Sequence, residues 1–235
     1  MIHPKIRITK NFFEKEAWAE GLYTCGLDEV GRGCLAGPVV VGAVILPHNT
    51  TYHLLKDSKI LTEEERKTAF KWINAHCQWT VSIVGNHMID TINIYQATLF
   101  GMKKAYLNLT QTLSFPIEQL KYVLIDAMPL EMDKAFGHEK LEFHHFNYGE
   151  RFSTSIAAAS IVAKVTRDNL MEKISPYFPA FSFEQHKGYA TKQHINALLT
   201  HGPTIIHRTS FIKSIKKESD TEETLQKNLF GEYHE

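Results

Sequence analysis

Pro38 to Leu46, PVVVGAVIL, is a nearly unbroken β-branched run, and no other stretch limits the fold so much. A strand with one wet face alternates apolar and polar residues, whereas a continuous apolar run has to be covered on both faces. Such a strand belongs in the middle of a sheet with helices packed above and below it. With 235 residues, 43% of them hydrophobic, the chain can bury a core of that kind as one domain.

The surrounding segments fit this plan. Tyr23 to Asp28 reads as a short strand that runs into Gly31-Arg32-Gly33. Thr62 followed by Glu63, Glu64 and Glu65 is a helix start, with a hydroxyl cap and acids in the first turn, and that helix reaches about Ala75. Gln78 to Val84 reads as a third strand, Met88 to Leu109 as one periodic helix, and Tyr122 to Asp126 as a buried strand. Ser153 to Ile174 predicts a helix whose alanines let it lie close to a sheet; Pro176 and Pro179 stop it. A last helix spans Thr191 to Thr200 and closes at Gly202-Pro203. The expected class is α/β, a mixed central sheet flanked by helices.

Both the first strand and the Tyr122–Asp126 strand end in acid, at Asp28-Glu29 and at Asp126. Adjacent carboxylates repel, so an ordinary core has little use for them. A hard divalent cation such as Mg²⁺ or Mn²⁺ removes the conflict and keeps positions for water and phosphate. Ligand sites of α/β sheets gather beyond strand ends, where acids from separate strands converge. The glycines around Arg32 let main-chain N–H groups approach phosphate or sugar. Ala36 breaks the dinucleotide pattern G-x-G-x-x-G, which argues against a nucleotide cofactor.

Composition excludes some classes. No apolar run is long enough for a bilayer, and no charged, apolar and cleavage-site succession is present. Cys25, Cys34 and Cys77 lack zinc-site spacing and are odd in number, which suits a reduced, cytoplasmic setting. The net charge of +0 conceals an asymmetry: Glu184 to Lys217 is basic, and Glu218 to Glu235 is acidic. Nothing demands more than a monomer.

The stretch GLDEVGRGCLAGPVVVGAVIL resembles the opening motif of the ribonuclease HII family. Asp57-Ser58-Lys59 with Leu61-Thr62, the strand Val123 to Asp126, SIAAASIVAKVTRD (Ser155 to Asp168), HKGYATKQH and HGPTIIHRTSF are similar to later family motifs, in family order. The likeness covers roughly residues 21 to 211. It implies a ribonuclease H-like fold with a helical C-terminal extension, and a catalytic domain over residues 1–211 that includes substrate-contacting helices from about 184. Residues 212–235 form a charged tail with some helical signal.

The resemblance further implies an endonuclease that hydrolyses RNA in RNA–DNA hybrids and cuts 5′ to ribonucleotides embedded in duplex DNA. It would leave 5′-phosphate and 3′-hydroxyl ends and use two Mn²⁺ or Mg²⁺ ions. Asp28, Glu29 and Asp126 map onto three of the family's four carboxylates. The fourth is usually an aspartate after glycine just before the long helix; this chain has Gly149-Glu150. Glu150 is the expected fourth ligand, with Asp133 or Glu142 folding back, or three acids with water, as the alternatives. Gly31, Arg32 and Gly33 are implied to read the 2′-hydroxyl and Tyr189 to pack on the sugar beside the scissile phosphate. Lys59, Lys187 and Arg208 are candidate phosphate contacts. His144 and His145 read first as structural, as does Asp168. Gln226, Leu229 and Phe230 resemble a short sliding-clamp docking peptide, against the plainer reading of an amphipathic terminal helix. Two rivals remain: a hybrid-binding protein of the same fold that does not cut, and a resolvase-like nuclease.

Overall fold

In a computed structural model, which describes residues 9–130 and 138–213, a five-stranded sheet runs through the centre of the chain. Its strands are β1 (Tyr23–Val30), β2 (Val39–Ile45), β3 (Gln78–Val84), β4 (Leu120–Asp126) and β5 (Glu142–Phe146), in spatial order β3-β2-β1-β4-β5. β1 pairs antiparallel with β2 and parallel with β4, so the sheet is mixed, as expected. Every residue of β2 is buried, the arrangement its β-branched run demands. Val39, Val41, Ala43 and Ile45 join the core on the side of α3 (Asn86–Thr110). Val44 joins the opposite core, beside α2 (Glu63–His76) and α4 (Thr154–Ile174).

α4 lies almost on the sheet. A Cβ on Gly26 would stand 2.1 Å from the carbonyl carbon of Ser155, and one on Gly42 would stand 2.4 Å from the carbonyl oxygen of Ala159. Glycine on the strands and Ala157, Ala158 and Ala159 on the helix make that approach sterically feasible. Ser153 caps α4, its hydroxyl accepting from the N–H of Ile156 at 3.1 Å. The start of α2 is a full capping box between Thr62 and Glu65.

The structure departs from the sequence reading in three places. α3 is not one continuous helix: Asn93 sits at φ 67°, ψ 165°, and its Oδ1 accepts from the N–H of Gln96 at 3.0 Å, capping the second half. Helical periodicity runs through both halves and so hides the break. α1 (Phe12–Ala19) was not expected; it is only eight residues long and buries a glutamate, Glu14. Glu14 accepts from the Ser153 hydroxyl and the Ser155 N–H, tying α1 to the start of α4. β5 was also missed, being a short edge strand with two exposed residues.

Beyond α4, the short α5 (Phe183–His186) and α6 (Lys192–His201) enclose a smaller core of Met171, Phe181, Phe183, Leu198 and Ile212. α6 begins at the cap Thr191 and ends at Gly202, φ 71°, as the sequence predicts. The tail after residue 213, with Gln226, Leu229 and Phe230, lies outside the described residues, and so does Asp133.

Candidate metal centre and nucleic-acid interface

Strand register brings the acids together. Leu27 stands opposite Ile125 across the parallel β1–β4 pair, so Asp28 and Asp126 follow side by side at the strand ends. Leu27 and Ile125 face the α3 core; alternation therefore turns Asp28 and Asp126 toward the α4 face. Ala127, at φ 53°, turns the chain sharply away behind Asp126. The main chain returns from β5 into a 3₁₀ turn, Gly149–Arg151, where the Gly149 N–H donates to Asp126 Oδ1 at 2.6 Å. Glu150, the next residue, is buried against this group. A Cβ at position 149 would meet Ile156 at 2.6 Å and Asp126 Oδ1 at 3.2 Å, which explains why a glycine precedes the fourth acid.

The electrostatics are those of crowded anions. Burial pushes the Asp28 carboxyl well above the ordinary carboxylate range, and the charges of Glu29 and Asp126 push it further. Burial also raises Glu29, partly offset by Arg32, whose Nη1 lies 3.2 Å from Glu29 Oε1. Asp126 and Glu150 are raised by burial as well, opposed by backbone hydrogen bonds and by the nearby Lys59. Two like charges about 4 Å apart repel by roughly 4 kcal/mol at an effective dielectric of 20. That is a large fraction of a typical domain's stability of about 5–15 kcal/mol.

The donor set fits a hard divalent cation. It consists of carboxylates alone, and Glu29 Oε2 and Glu150 Oε2 are buried with no hydrogen-bond partner. Among the described residues, no group of three or more acidic, histidine or cysteine side chains stands ready-made as an ion cage. Behind the acids, the Ser160 hydroxyl of α4 lies 2.8 Å from the Ser58 hydroxyl, linking the Asp57-Ser58-Lys59 loop to α4, and its polarity partly opposes the rise of the Asp28 carboxyl.

The Gly31-Arg32-Gly33 loop is held from behind by two buried arginines. Arg208 donates to the carbonyls of Arg32 (2.7 Å), Gly31 (2.7 Å) and Gly37 (3.0 and 2.8 Å). Arg167, within α4, donates to those of Pro38 (2.9 Å), Lys187 (2.8 Å) and Ala36 (3.1 Å). Gly31, φ 91°, has Arg167 where a side chain would stand, whereas Gly33 opens on free space. The Tyr189 loop is stitched to the same segment: Leu35 N–H donates to Gly188 O at 2.9 Å, and Cys34 pairs with Tyr189. The Tyr189 ring is 37% exposed and has Lys164 Nζ 5.5 Å from its centroid.

A family model described as Ribonuclease HII matches residues 25–214. The chain belongs to the ribonuclease HII family. It is 41% identical over 208 residues to the Ribonuclease HII of Ligilactobacillus salivarius, covering 87% of this chain and 75% of that one. To the Ribonuclease HII of Bacillus mycoides it is 44% identical over 201 residues, 85% and 73% of the two chains. In fold it is similar to the ribonuclease H2 of Pyrococcus horikoshii, with a TM-score of 0.65 and 21% identity over 84% of this chain and 98% of that one. It is also similar to Bst-RNase HIII crystallised with Mn²⁺, with a TM-score of 0.59 and 19% identity over 79% and 65%. As a ribonuclease HII, the chain is a divalent-metal-dependent endonuclease that hydrolyses RNA paired with DNA. No helix among the described residues is long and apolar enough to cross a membrane.

In this chain Asp28 and Glu29 feel the charge of Asp126, and Glu150 feels that of Asp126, while the Cys34 segment of the glycine loop and Tyr189 are joined beside them. Lys59 is exposed near Asp126 and Glu150. One phosphate contact expected from the sequence is corrected, and a second is paired with an acid. Arg208 is fully buried, its guanidinium engaged by carbonyls. The Lys187 ammonium pairs with Glu172 at 2.8 Å and donates to the Glu184 carbonyl. Glu142 starts β5 opposite Tyr122, far along the strand from Asp126, and bonds His144 instead of the acids. His144 packs its ring 4.5 Å from Phe13, and Asp168 pairs with Lys164 at 2.9 Å. Sequence reasoning missed Arg167 and Ser160; an arginine inside a run of small and aliphatic residues was the signal for the first.

Proposed function

We propose that this chain cuts on the 5′ side of ribonucleotides embedded in duplex DNA, as well as within longer hybrids, leaving 5′-phosphate and 3′-hydroxyl ends. Asp28, Glu29, Asp126 and Glu150 would hold a pair of Mg²⁺ or Mn²⁺ ions. When bound, such a pair lowers the pKa of water to make a nucleophile and stabilises charge on the leaving oxygen.

The residues of the chain provide the rest. Gly31 and Gly33 bring main-chain groups within reach of the 2′-hydroxyl, the atom that separates RNA from DNA. Arg32 is half-exposed and free to meet phosphate once Glu29 turns to the ion. Tyr189 offers a ring face to the neighbouring sugar, and Lys59 adds positive charge along the backbone. The observation that carries the reading is the continuity of buried acids with partnerless oxygens and a stitched glycine–tyrosine surface.

A DNA duplex with one ribonucleotide, incubated with Mg²⁺ or Mn²⁺, tests it. A single cut 5′ to the ribonucleotide is expected; binding without cleavage would favour a non-cutting hybrid binder, and cleavage of all-DNA junctions a resolvase. Glu150→Gln should lower cleavage by about 10²-fold, the scale of losing one preorganised electrostatic group. Full activity in that variant removes Glu150 from the site.

A further inference from the structure

Three buried histidines stand behind Tyr189, and every ring nitrogen among them is engaged. His186, His194 and His207 are 8%, 0% and 1% exposed. His194 Nδ1 lies 2.9 Å from the Tyr189 carbonyl, which can only accept, so that nitrogen carries the proton. His194 Nε2 is then an acceptor, and His207 Nε2, 3.0 Å away, donates to it. The remaining nitrogen of His207 must accept, and the Thr204 N–H donates to it at 2.9 Å. The assignment closes from both ends without conflict.

His186 completes the arrangement. Its Nε2 donates to the Phe181 carbonyl at 2.6 Å, and its Nδ1 accepts from the Gly188 N–H at 3.1 Å. Its ring stacks on His194 with centroids 4.4 Å apart, while Phe181 and Phe183 pack around the group. The main chain is thus gripped by imidazoles at the Gly188 N–H and at the Tyr189 carbonyl. The far end of the network is anchored too, because His207 bridges Ala36 and the Arg208 N–H donates to Leu35 O at 2.8 Å.

We propose that His186, His194 and His207 are positioning residues for Tyr189, holding its ring in register with the Gly31-Arg32-Gly33 loop through an unbroken chain of hydrogen bonds. The inference rests on the reading of Tyr189 as the ring that meets the sugar. The charged groups around the cluster face elsewhere: Glu184 bonds Ser175, Lys187 pairs with Glu172, and the Arg208 guanidinium turns to Gly31, Arg32 and Gly37. Burial lowers the His194 and His207 pKa values, His207 to about 4. The unfolded value is near 6.5, so the unfolded chain binds more protons between about 4 and 6.5. The network's contribution is complete above about 6.5 and is lost as pH falls toward 4.

The test uses the full chain with His194→Leu, which removes both hydrogen bonds, and His194→Asn, whose amide keeps a donor near Nδ1. Hydrogen exchange over residues 186–194 should accelerate in His194→Leu and stay near wild type in His194→Asn. Cleavage of the single-ribonucleotide duplex should fall about tenfold in His194→Leu, the cost of one hydrogen bond at ~1.4 kcal/mol, with Mn²⁺ affinity unchanged. In a Tyr189→Ala background the same substitution should cost less than about twofold, because the loss runs through that ring. Equal losses in both backgrounds, or unaltered exchange, would overturn the proposal. Full cleavage by Tyr189→Ala alone would instead sink the reading of the tyrosine, while exchange still reports whether the histidines hold the loop. Should His194→Leu fail to fold, lowering the pH of wild-type protein from 6.5 to 4 should reduce protection against exchange in 186–194, after correction for the slower intrinsic rate at low pH, ahead of the sheet; simultaneous loss of protection everywhere counts against the network.

Discussion

The molecule buries charge in two regions and resolves it in opposite ways. Behind the glycine loop, Arg167 and Arg208 are 0% exposed and spend their N–H groups on main-chain carbonyls. At the ends of β1 and β4, the acids crowd one another and leave Glu29 Oε2 and Glu150 Oε2 without partners. The first region is complete within the protein and reads as scaffold. The second keeps crowded acids that Arg32 and Lys59 offset only in part, a condition that a divalent cation would relieve. Glu14 Oε2, equally buried and partnerless, belongs to the scaffold, so an unpaired oxygen marks the site only where several acids crowd together.

The largest expected effect breaks the acidic side. Asp28→Asn should lower cleavage by at least about 10²–10³-fold, yet raise the melting temperature of metal-free protein by relieving repulsion. Loss of both activity and stability would place Asp28 with the scaffold. On the arginine side the balance should invert. Arg208→Met leaves the Gly31, Arg32 and Gly37 carbonyls without their donors, and urea denaturation should report a loss of about 2–5 kcal/mol. A stability change below about 0.5 kcal/mol would mean that water replaces the guanidinium and that the contrast is wrong. The smallest effect sharpens the boundary between the two. Lys59→Ala should raise KM a few-fold on every nucleic-acid substrate and reduce the slope of log affinity against log salt by about 1. Substrate-selective loss would give Lys59 a reading role instead of a phosphate role.

Much of this was legible in the sequence, for definite reasons. The run Val39–Ile45 has no polar face, so it had to be central, and its burial at every position follows. Asp28 and Asp126 each follow the last paired residue of the β1–β4 ladder, and parallel register makes them neighbours. What stayed hidden depends on long-range partners. Arg208 looks like a phosphate contact because a basic side chain carries no mark of the carbonyls that will claim it. The interruption at Asn93 hides inside a periodic pattern, since both halves keep their apolar faces toward one core. β5 and α1 are short, and each carries polar residues that tertiary contacts, such as Glu14 with Ser153, make acceptable.

The contact of Gly26 and Gly42 with α4 has a mechanical consequence. With 2.1 and 2.4 Å to an added carbon, there is no slack between the strand bearing Asp28 and the helix bearing Arg167. Strand, helix and the loops that Arg167 grips therefore behave as one rigid jaw, with the spacing between acids and tyrosine set in advance.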